Sequence, residues 1–430
     1  MIDWKRVAAG DDGLNIYKIE AESENTFQRA SKSDPFGAIL ALHDTETTRY
    51  LLESFRSTEG PVGSAGFRVA CHVISLPDSL WVIDSTFRTT GPEVFPGTLE
   101  EIVEVEGRSL AGRPIHVIYT HAHFDHAGGH AAVAALGSDV ETFAHPHTQA
   151  LMPFVSRREF FFSSKAGFFR DCGLSEDAIG ELQGAFRNFL TQKGLDIDAS
   201  VFAADESEQL RVDTLVDLEP HGLKRLSERV SVLRFDGHIP GHLCVLADGG
   251  HYITGDMWLP ATTSTITPGT IAALARIPKE ECGVRRYLDA SKALLNLRLG
   301  HCTSYPSHES IFTNPKRMAM RDLELILERL YLVYQVLHEH GRKPMRILDL
   351  AWGGAEHLPI WKINESKIRL MMAYDEATAY VEDLVRVGDL VREGPDTYLA
   401  TGTEALLHEA ADTLADARGT YGHLEFRSRV

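Results

Sequence analysis

His121-Ala122-His123-Phe124-Asp125-His126 packs three imidazoles and a carboxylate into six residues, directly after the apolar run Ile115 to Tyr119. Histidines two apart at the end of a strand point to one face and can share one ion, while the turn that follows swings Asp125 and His126 toward a second position. A single histidine pair there would read equally well as ordinary polar turn residues. Four ligating side chains at this spacing read instead as a site for two adjacent divalent ions. His130, a few residues on, reads as a first-turn helix residue or a support for the ligands.

The motif resembles the signature of the metallo-β-lactamase superfamily, His-x-His-x-Asp-His, here followed by Ala127-Gly128-Gly129. The resemblance asks for further elements in a set order, and the chain supplies them. Ile239-Pro240-Gly241-His242 is the Pro-Gly-His turn, Gly255-Asp256 follows the short run Tyr252 to Thr254, and His308 lies in Tyr305-Pro306-Ser307-His308-Glu309. The match covers roughly residues 65 to 315. It implies that His121, His123 and His242 hold one metal, that Asp125, His126 and His308 hold the second, and that Asp256 lies between them. His238 is expected in a supporting or exposed position, and His301 gives way to His308, whose Tyr-Pro context fits better. Asp84 stands where the family has a supporting aspartate that orients a ligand, although an Asx turn or helix cap accounts for it equally well. Arg286-Tyr287-Leu288, Ser291 and Leu294-Leu295 resemble the helix before the last metal histidine in the glyoxalase II-like branch. Ser307 and Glu309, where that branch has glycines, loosen the match.

The fold implied is α/β, a four-layer αββα metallo-β-lactamase sandwich over residues 65–315. The strand, loop, helix, strand alternation around the motif agrees with a layered arrangement. Residues 1–64 are expected to pack on this core as an extension without chemistry, with a helix or two over residues 39–55. Residues 148–205 form a helical insertion rich in aromatics, among them Phe154, Phe160, Phe161, Phe162, Phe168 and Phe169. It reads as a glue to the body, as an apolar lid over the site, or as a homodimer or partner contact. Residues 316–430 read as a helical, winged-helix-like domain, with a long helix from Arg321 to His340 and two short strands around Gly394-Pro395. Asp375, Glu376, Glu382 and Asp383 on its presumed recognition stretch suit a structural role better than base readout.

Composition sets the outer bounds. A chain of 430 residues exceeds one small core, and 43% hydrophobic with 24% charged residues is ordinary for a globular protein. A net charge of −18 argues against a sequence-independent grip on nucleic acid, which needs Lys and Arg to displace counterions. Five cysteines without a Cys-x-x-Cys pair do not make a disulfide framework. Cys244 reads as a core thiol rather than a ligand, and His145 and His147 as loop residues. Met1 to Arg6 lacks the apolar core of a secretion signal and no run approaches a membrane span, so the expected location is the cytoplasm.

The resemblance implies a dinuclear metal-dependent hydrolase acting on a small molecule. The metals are expected to be zinc, with iron and manganese compatible with the same ligands. Such a pair brings water toward ionisation near neutral pH and polarises the scissile oxygen, while Asp125 orients the nucleophile and carries a proton. An ester, thioester or lactone with a largely apolar acyl part is the first reading. A phosphodiesterase or ribonuclease, and an iron-dependent redox enzyme, are the alternatives.

Overall fold

The protein is described from a computed structural model, covering residues 2–10, 12–22, 68–86, 94–123, 125–134, 136, 139–155, 170, 175–177, 179–180, 212–260, 264–299, 302–340, 343–352, 368–394 and 397–421. The run Phe160-Phe161-Phe162 and the apolar stretch at 39–55 lie outside these residues.

The first sheet runs in chain order from β1 (Ile2–Ala9) and β2 (Asn15–Glu22) through β3 (Arg68–Ser75), β4 (Leu80–Ile83), β5 (Ile115–Ile118) and β6 (Val140–Ala144) to β7 (Thr214–Leu215). The expected hairpin over residues 67–84 is the antiparallel pair β3 and β4, after which β4, β5, β6 and β7 pair in parallel. Residues 2–22, for which the sequence offered no secondary-structure reading, form a strand hairpin within this sheet. Their pattern hides because β2 is buried on both faces: Tyr17 and Ile19 turn toward one core, Leu14 and Ile16 toward another.

The second sheet has the order β13 (Phe312–Thr313), β12 (Thr303–Pro306), β11 (His251–Gly255), β10 (Leu243–Ala247), β9 (Val230–Arg234) and β8 (Leu223–Arg225). Alternation along the strands sorts side chains into layers. Ile74, Trp81, Ile83 and Ile118 meet Val230, Val232, Val245 and Ile253 between the sheets. Val73, Val82 and Val117 on the other face of the first sheet pack on α1 (Val94–Val105), α2 (His130–Ala134) and α3 (Pro146–Val155), with α4 (Gly269–Leu274) joining them. The outer face of the second sheet, including Leu233, Cys244 and Tyr252, is covered by α5 (Val284–Asn296) and α6 (Pro315–His340). Helix, sheet, sheet, helix is the four-layer order expected. Each fully buried large aliphatic or phenyl side chain, Leu233 and Phe235 among them, contributes about 1.5–3 kcal/mol to this packing.

After α6 come β14 (Met345–Arg346), α7 (Ile347–Trp352), α8 (Ile368–Arg386), β15 (Leu390–Arg392), β16 (Thr397–Ala400) and α9 (Ala405–Tyr421), with the strands ordered β14-β16-β15. Three acidic residues of α8 face the body of the protein. Glu376 pairs with Arg329 of α6, Glu382 accepts the Gly269 N–H at 2.5 Å, and Asp383 accepts the Arg285 N–H at 3.0 Å. Two carboxylates thus satisfy first-turn amides of α4 and α5. Gly283 makes room for the second of them: its φ is +102°, and a Cβ there would stand 2.5 Å from Asp383 Oδ2. The four described cysteines, Cys71, Cys244, Cys282 and Cys302, are buried and free. Among the described residues no helix is long and apolar enough to cross a membrane.

Candidate metal centre

Parallel pairing brings the chemistry to one edge. Asp84 follows β4 and His121 follows β5, two adjacent parallel strands, while Asp256 follows β11 and His308 follows β12, the parallel pair of the second sheet. A register shift between Ile253 and Gly255 turns the end of β11, and the Ser307 N–H donates to the Gly255 carbonyl at 2.9 Å across it.

Two groups of ligand atoms converge there. His121, His123, His238 and Asp256 form one, and Asp125, His126 and His308 the other, with the atoms of each within 4.8 Å of one another. His123 Nδ1 lies 3.0 Å from His121 Nε2 and 2.9 Å from His238 Nε2. In the second group Asp125 Oδ2 is 3.2 Å from His308 Nε2 and 3.5 Å from His126 Nε2. Asp256 reaches both: Oδ1 is 3.2 Å from His126 Nε2, and Oδ2 is 3.4 Å from His308 and 3.6 Å from His238. Although 3.2 Å apart, the buried His126 Nε2 and Asp256 Oδ1 are misaligned for a hydrogen bond, and neither atom has a hydrogen-bond partner among the described residues. Buried polar atoms that converge without bonding to one another are what a coordinating cation satisfies.

Neighbouring groups aim these donors. Asp84, whose backbone sits at φ +67°, accepts the Thr120 N–H at 2.7 Å through Oδ1 and holds His126 Nδ1 at 2.8 Å through Oδ2. His126 therefore turns Nε2 toward the site, so Asp84 acts on the ligand rather than capping a helix. Ser85 N–H and Oγ–H both donate to the His126 carbonyl, at 2.7 and 3.0 Å. Gly129 is required beside this turn, because a Cβ there would meet the Ser85 carbonyl at 2.1 Å. His130 packs behind the site with Nδ1 2.7 Å from Tyr119 Oη.

Of the residues expected as ligands, His121, His123, Asp125, His126, Asp256 and His308 all contribute to the two groups. His242 does not. Its imidazole stacks beside His121 with ring centroids 5.0 Å apart, and its Nε2 accepts the Asp256 N–H at 3.3 Å, so that nitrogen is engaged behind the cluster. Gly255 permits the approach: at φ +57°, a Cβ there would lie 2.7 Å from His242 Nε2. His238, expected in a supporting or exposed position, is instead buried with Nε2 in the first group and Nδ1–H donating to the Thr265 carbonyl at 2.7 Å. The turn from Gly237 to His242 offers two Gly-His pairs with the same local chemistry, and His242 leads straight into the apolar strand Leu243–Ala247. Cys244 behaves as a core thiol, buried and pushed up to about 12 by desolvation.

The two groups differ in charge. Burial, followed by repulsion from neighbouring imidazoles, keeps His121 well below its ordinary pKa and His123 at about 3, and burial likewise depresses His238. Burial also opposes protonation of His126 and His308, yet Asp256 and Asp125 outweigh it, raising His126 well above its ordinary value and His308 to about 10. Without metal, the imidazoles of the first group are thus neutral, and those of the second are imidazolium ions beside carboxylates.

The sequence matches the family described as the metallo-beta-lactamase superfamily over residues 66–281, half of the chain. No curated protein matches it. Among solved structures it is similar to a metallo-beta-lactamase family protein from Thermus thermophilus, at 17% identity over 77% of this chain and 94% of that one with a TM-score of 0.48. It is similar also to a beta-lactamase domain protein from Burkholderia ambifaria, at 17% identity over 80% and 90% with a TM-score of 0.49. A third likeness is to the metallo-beta-lactamase FIM-1 from Pseudomonas aeruginosa in a mono-zinc form, at 10% identity over 74% and 95% with a TM-score of 0.40. From the match over residues 66–281, the chain belongs to the metallo-beta-lactamase superfamily, whose members are metal-dependent hydrolases.

Proposed function

We propose that the protein is a dinuclear metal-dependent hydrolase that cleaves an ester, thioester or lactone of a small molecule. The observation that carries this reading is the position of Asp256, whose Oδ1 faces His126 of the second group while its Oδ2 lies between His308 of that group and His238 of the first. On this reading His121, His123 and His238 would hold one cation and Asp125, His126 and His308 the other, with Asp256 facing both groups. His238 takes the place that the Pro-Gly-His motif suggested for His242, because its Nε2 faces the other donors. Nitrogen and carboxylate donors of this kind suit zinc, with iron and manganese as compatible occupants. When bound, two such cations supply Lewis acidity that eases water ionisation near neutral pH and withdraws charge from the scissile oxygen.

The remaining work falls to the chain. Asp125 accepts the proton of the attacking water and returns it to the leaving group, a role within reach of a carboxylate beside His308. Asp84 keeps His126 in the tautomer that points Nε2 inward. The acidic balance of −18 favours an acyl substrate over a nucleic acid. A cytoplasmic location belongs to this proposal.

Proton release from a panel of lactones, aryl esters and acyl-thioesters by zinc-loaded protein tests it, with Asp125→Asn as the blank. Hydrolysis by the parent and not by the variant supports the reading. Silence across the panel, with cleavage of a bis-aryl phosphodiester, replaces it by phosphodiester hydrolysis.

A further inference from the structure

Behind the turn Gly237 to His242 lies a buried charged cluster that the proposed metal site leaves unexplained. Arg234 and Asp236 are 4% and 1% exposed. Arg234 Nη2 pairs with Asp236 Oδ2 at 2.8 Å and with Glu281 Oε2 at 2.6 Å, while Nη1 donates to the Leu218 carbonyl at 2.8 Å. Asp236 Oδ1 accepts Arg234 Nε at 3.1 Å and the Gly241 N–H at 2.6 Å. From the opposite side Thr148 Oγ–H donates to the Gly241 carbonyl at 2.9 Å. Gly241 is therefore gripped through both backbone polar groups, at a φ of +76° where a Cβ would stand 2.6 Å from His145 Nδ1.

A buried ion pair is a poor source of net stability, because desolvation offsets its attraction. What this one does is local. The turn it clamps carries His238, whose Nε2 is 2.9 Å from His123, and His242, whose Nε2 accepts the Asp256 N–H. A displacement of Gly241 is transmitted to one proposed ligand directly and to the backbone of another through His242.

We infer that Asp236, held by Arg234, is a positioning residue that sets the approach of His238 and Asp256 to the first cation site. The inference rests on the reading of His121, His123, His238 and Asp256 as metal ligands. It also accounts for His145 and His147, whose His-x-His spacing serves to wall the Gly241 turn: the His147 N–H donates to His145 Nδ1 at 3.1 Å.

Cobalt(II) titration of the metal-free full chain, followed by visible absorption, tests this on the parent, Asp236→Asn, Asp236→Ala and Thr148→Val, with thermal melts alongside. Asp236→Asn keeps an acceptor for the Gly241 N–H, whereas Asp236→Ala removes it. The parent is expected to bind two ions. Asp236→Ala should weaken one of them about 10–100-fold with a changed ligand-field spectrum, leave the other in place, and be largely rescued by Asp236→Asn. Parent-like binding of both ions by folded Asp236→Ala overturns the inference while leaving the metal reading intact. If Asp236→Ala does not fold, Thr148→Val decides: a weakened first ion supports the clamp, and unchanged binding overturns it. A parent that binds no cobalt overturns the metal reading, and the inference with it.

Discussion

His238 and His242 stand four residues apart in one turn and do different work, one facing the other donors and one supporting Asp256 from behind. His238→Ala is expected to cost one of two bound metal ions, with affinity down by more than about 100-fold, beyond the range for supporting residues. His242→Ala is expected to keep both ions but to melt earlier, since it leaves a cavity among buried groups. Metal analysis of the two variants after dialysis separates these outcomes, and loss of an ion from His242→Ala alone would restore it to the ligand set. The protonation contrast gives a second expectation. His126 and His308 are held protonated at pH 7 in the metal-free protein by Asp256 and Asp125, so a cation must displace those protons, whereas the depressed His121 and His123 have none to lose. Affinity of the second site should therefore rise as pH increases through neutrality toward about 10, the value for His308. Calorimetric titration in buffers of different ionisation enthalpy reads the protons released, and a buffer-independent heat would contradict the assignment.

Among the elements, α9 shows a cap supplied from outside its own sequence. Asp389, which precedes β15, accepts the Ala405 N–H and Leu406 N–H at 2.9 Å each and the Thr403 hydroxyl at 2.6 Å, and Tyr334 of α6 donates to it as well. Burial opposes ionisation of Asp389, but these donors prevail and hold its pKa below the ordinary value. A depressed carboxylate stabilises the fold fully above its unfolded pKa of about 3.9, and that contribution is lost as pH falls through the lower folded value. Asp389→Asn should cost about 1–2 kcal/mol at pH 7, the usual scale for a lost cap, and the gap to the parent should close as pH falls through the depressed pKa of Asp389. Urea unfolding at several pH values checks this, and a pH-independent gap would show that the charge is immaterial. The N-terminal hairpin bears on the site in a similar way. Lys18 of β2 donates to the carbonyl of Glu309, which follows His308 with φ +68°. Lys18→Met is expected to loosen that turn and weaken the His308 site about 10-fold, as removal of supporting residues does elsewhere.

The whole molecule is organised so that its two sheets meet at the proposed metals. His121, His123, Asp125 and His126 come from the loop after β5 in the first sheet, whereas His238, Asp256 and His308 come from connections of the second. Cations held between them would tie the layers together and favour the folded chain. At a free metal concentration about 1,000 times Kd this linkage amounts to about 4 kcal/mol, so chelation should lower the melting temperature markedly. Calorimetry with and without a chelator measures it, and coincident melts would mean that no such linkage exists. The C-terminal elements share in this organisation. Arg321 of α6 clasps the carbonyls of Leu259 and Pro260 just beyond Asp256, and Asp322 accepts the Tyr287 hydroxyl at 2.6 Å. The acidic face of α8 is spent on the helix amides of α4 and α5, which gives Glu382 and Asp383 a structural account.

By itself the sequence determined the family, the sandwich and the His-x-His-x-Asp-His loop, because each depends on residues close together in the chain: short apolar runs, turn signals and ligands at fixed local spacing. Asp256 and His308 were legible for the same reason, each ending a short strand in a recognisable turn. What only the tertiary structure decided are the matters set by residues far apart. Two histidines in one turn present the same local chemistry, and the clamp of Asp236 and Thr148 on Gly241, with the Asp256 amide waiting for His242, determines which faces the site. The strand at 15–22 was hidden because burial on both faces removes the alternation that marks a strand. The acidic residues of α8 found their partners only when the chain folded back on itself, since a carboxylate's worth depends on which amides it meets.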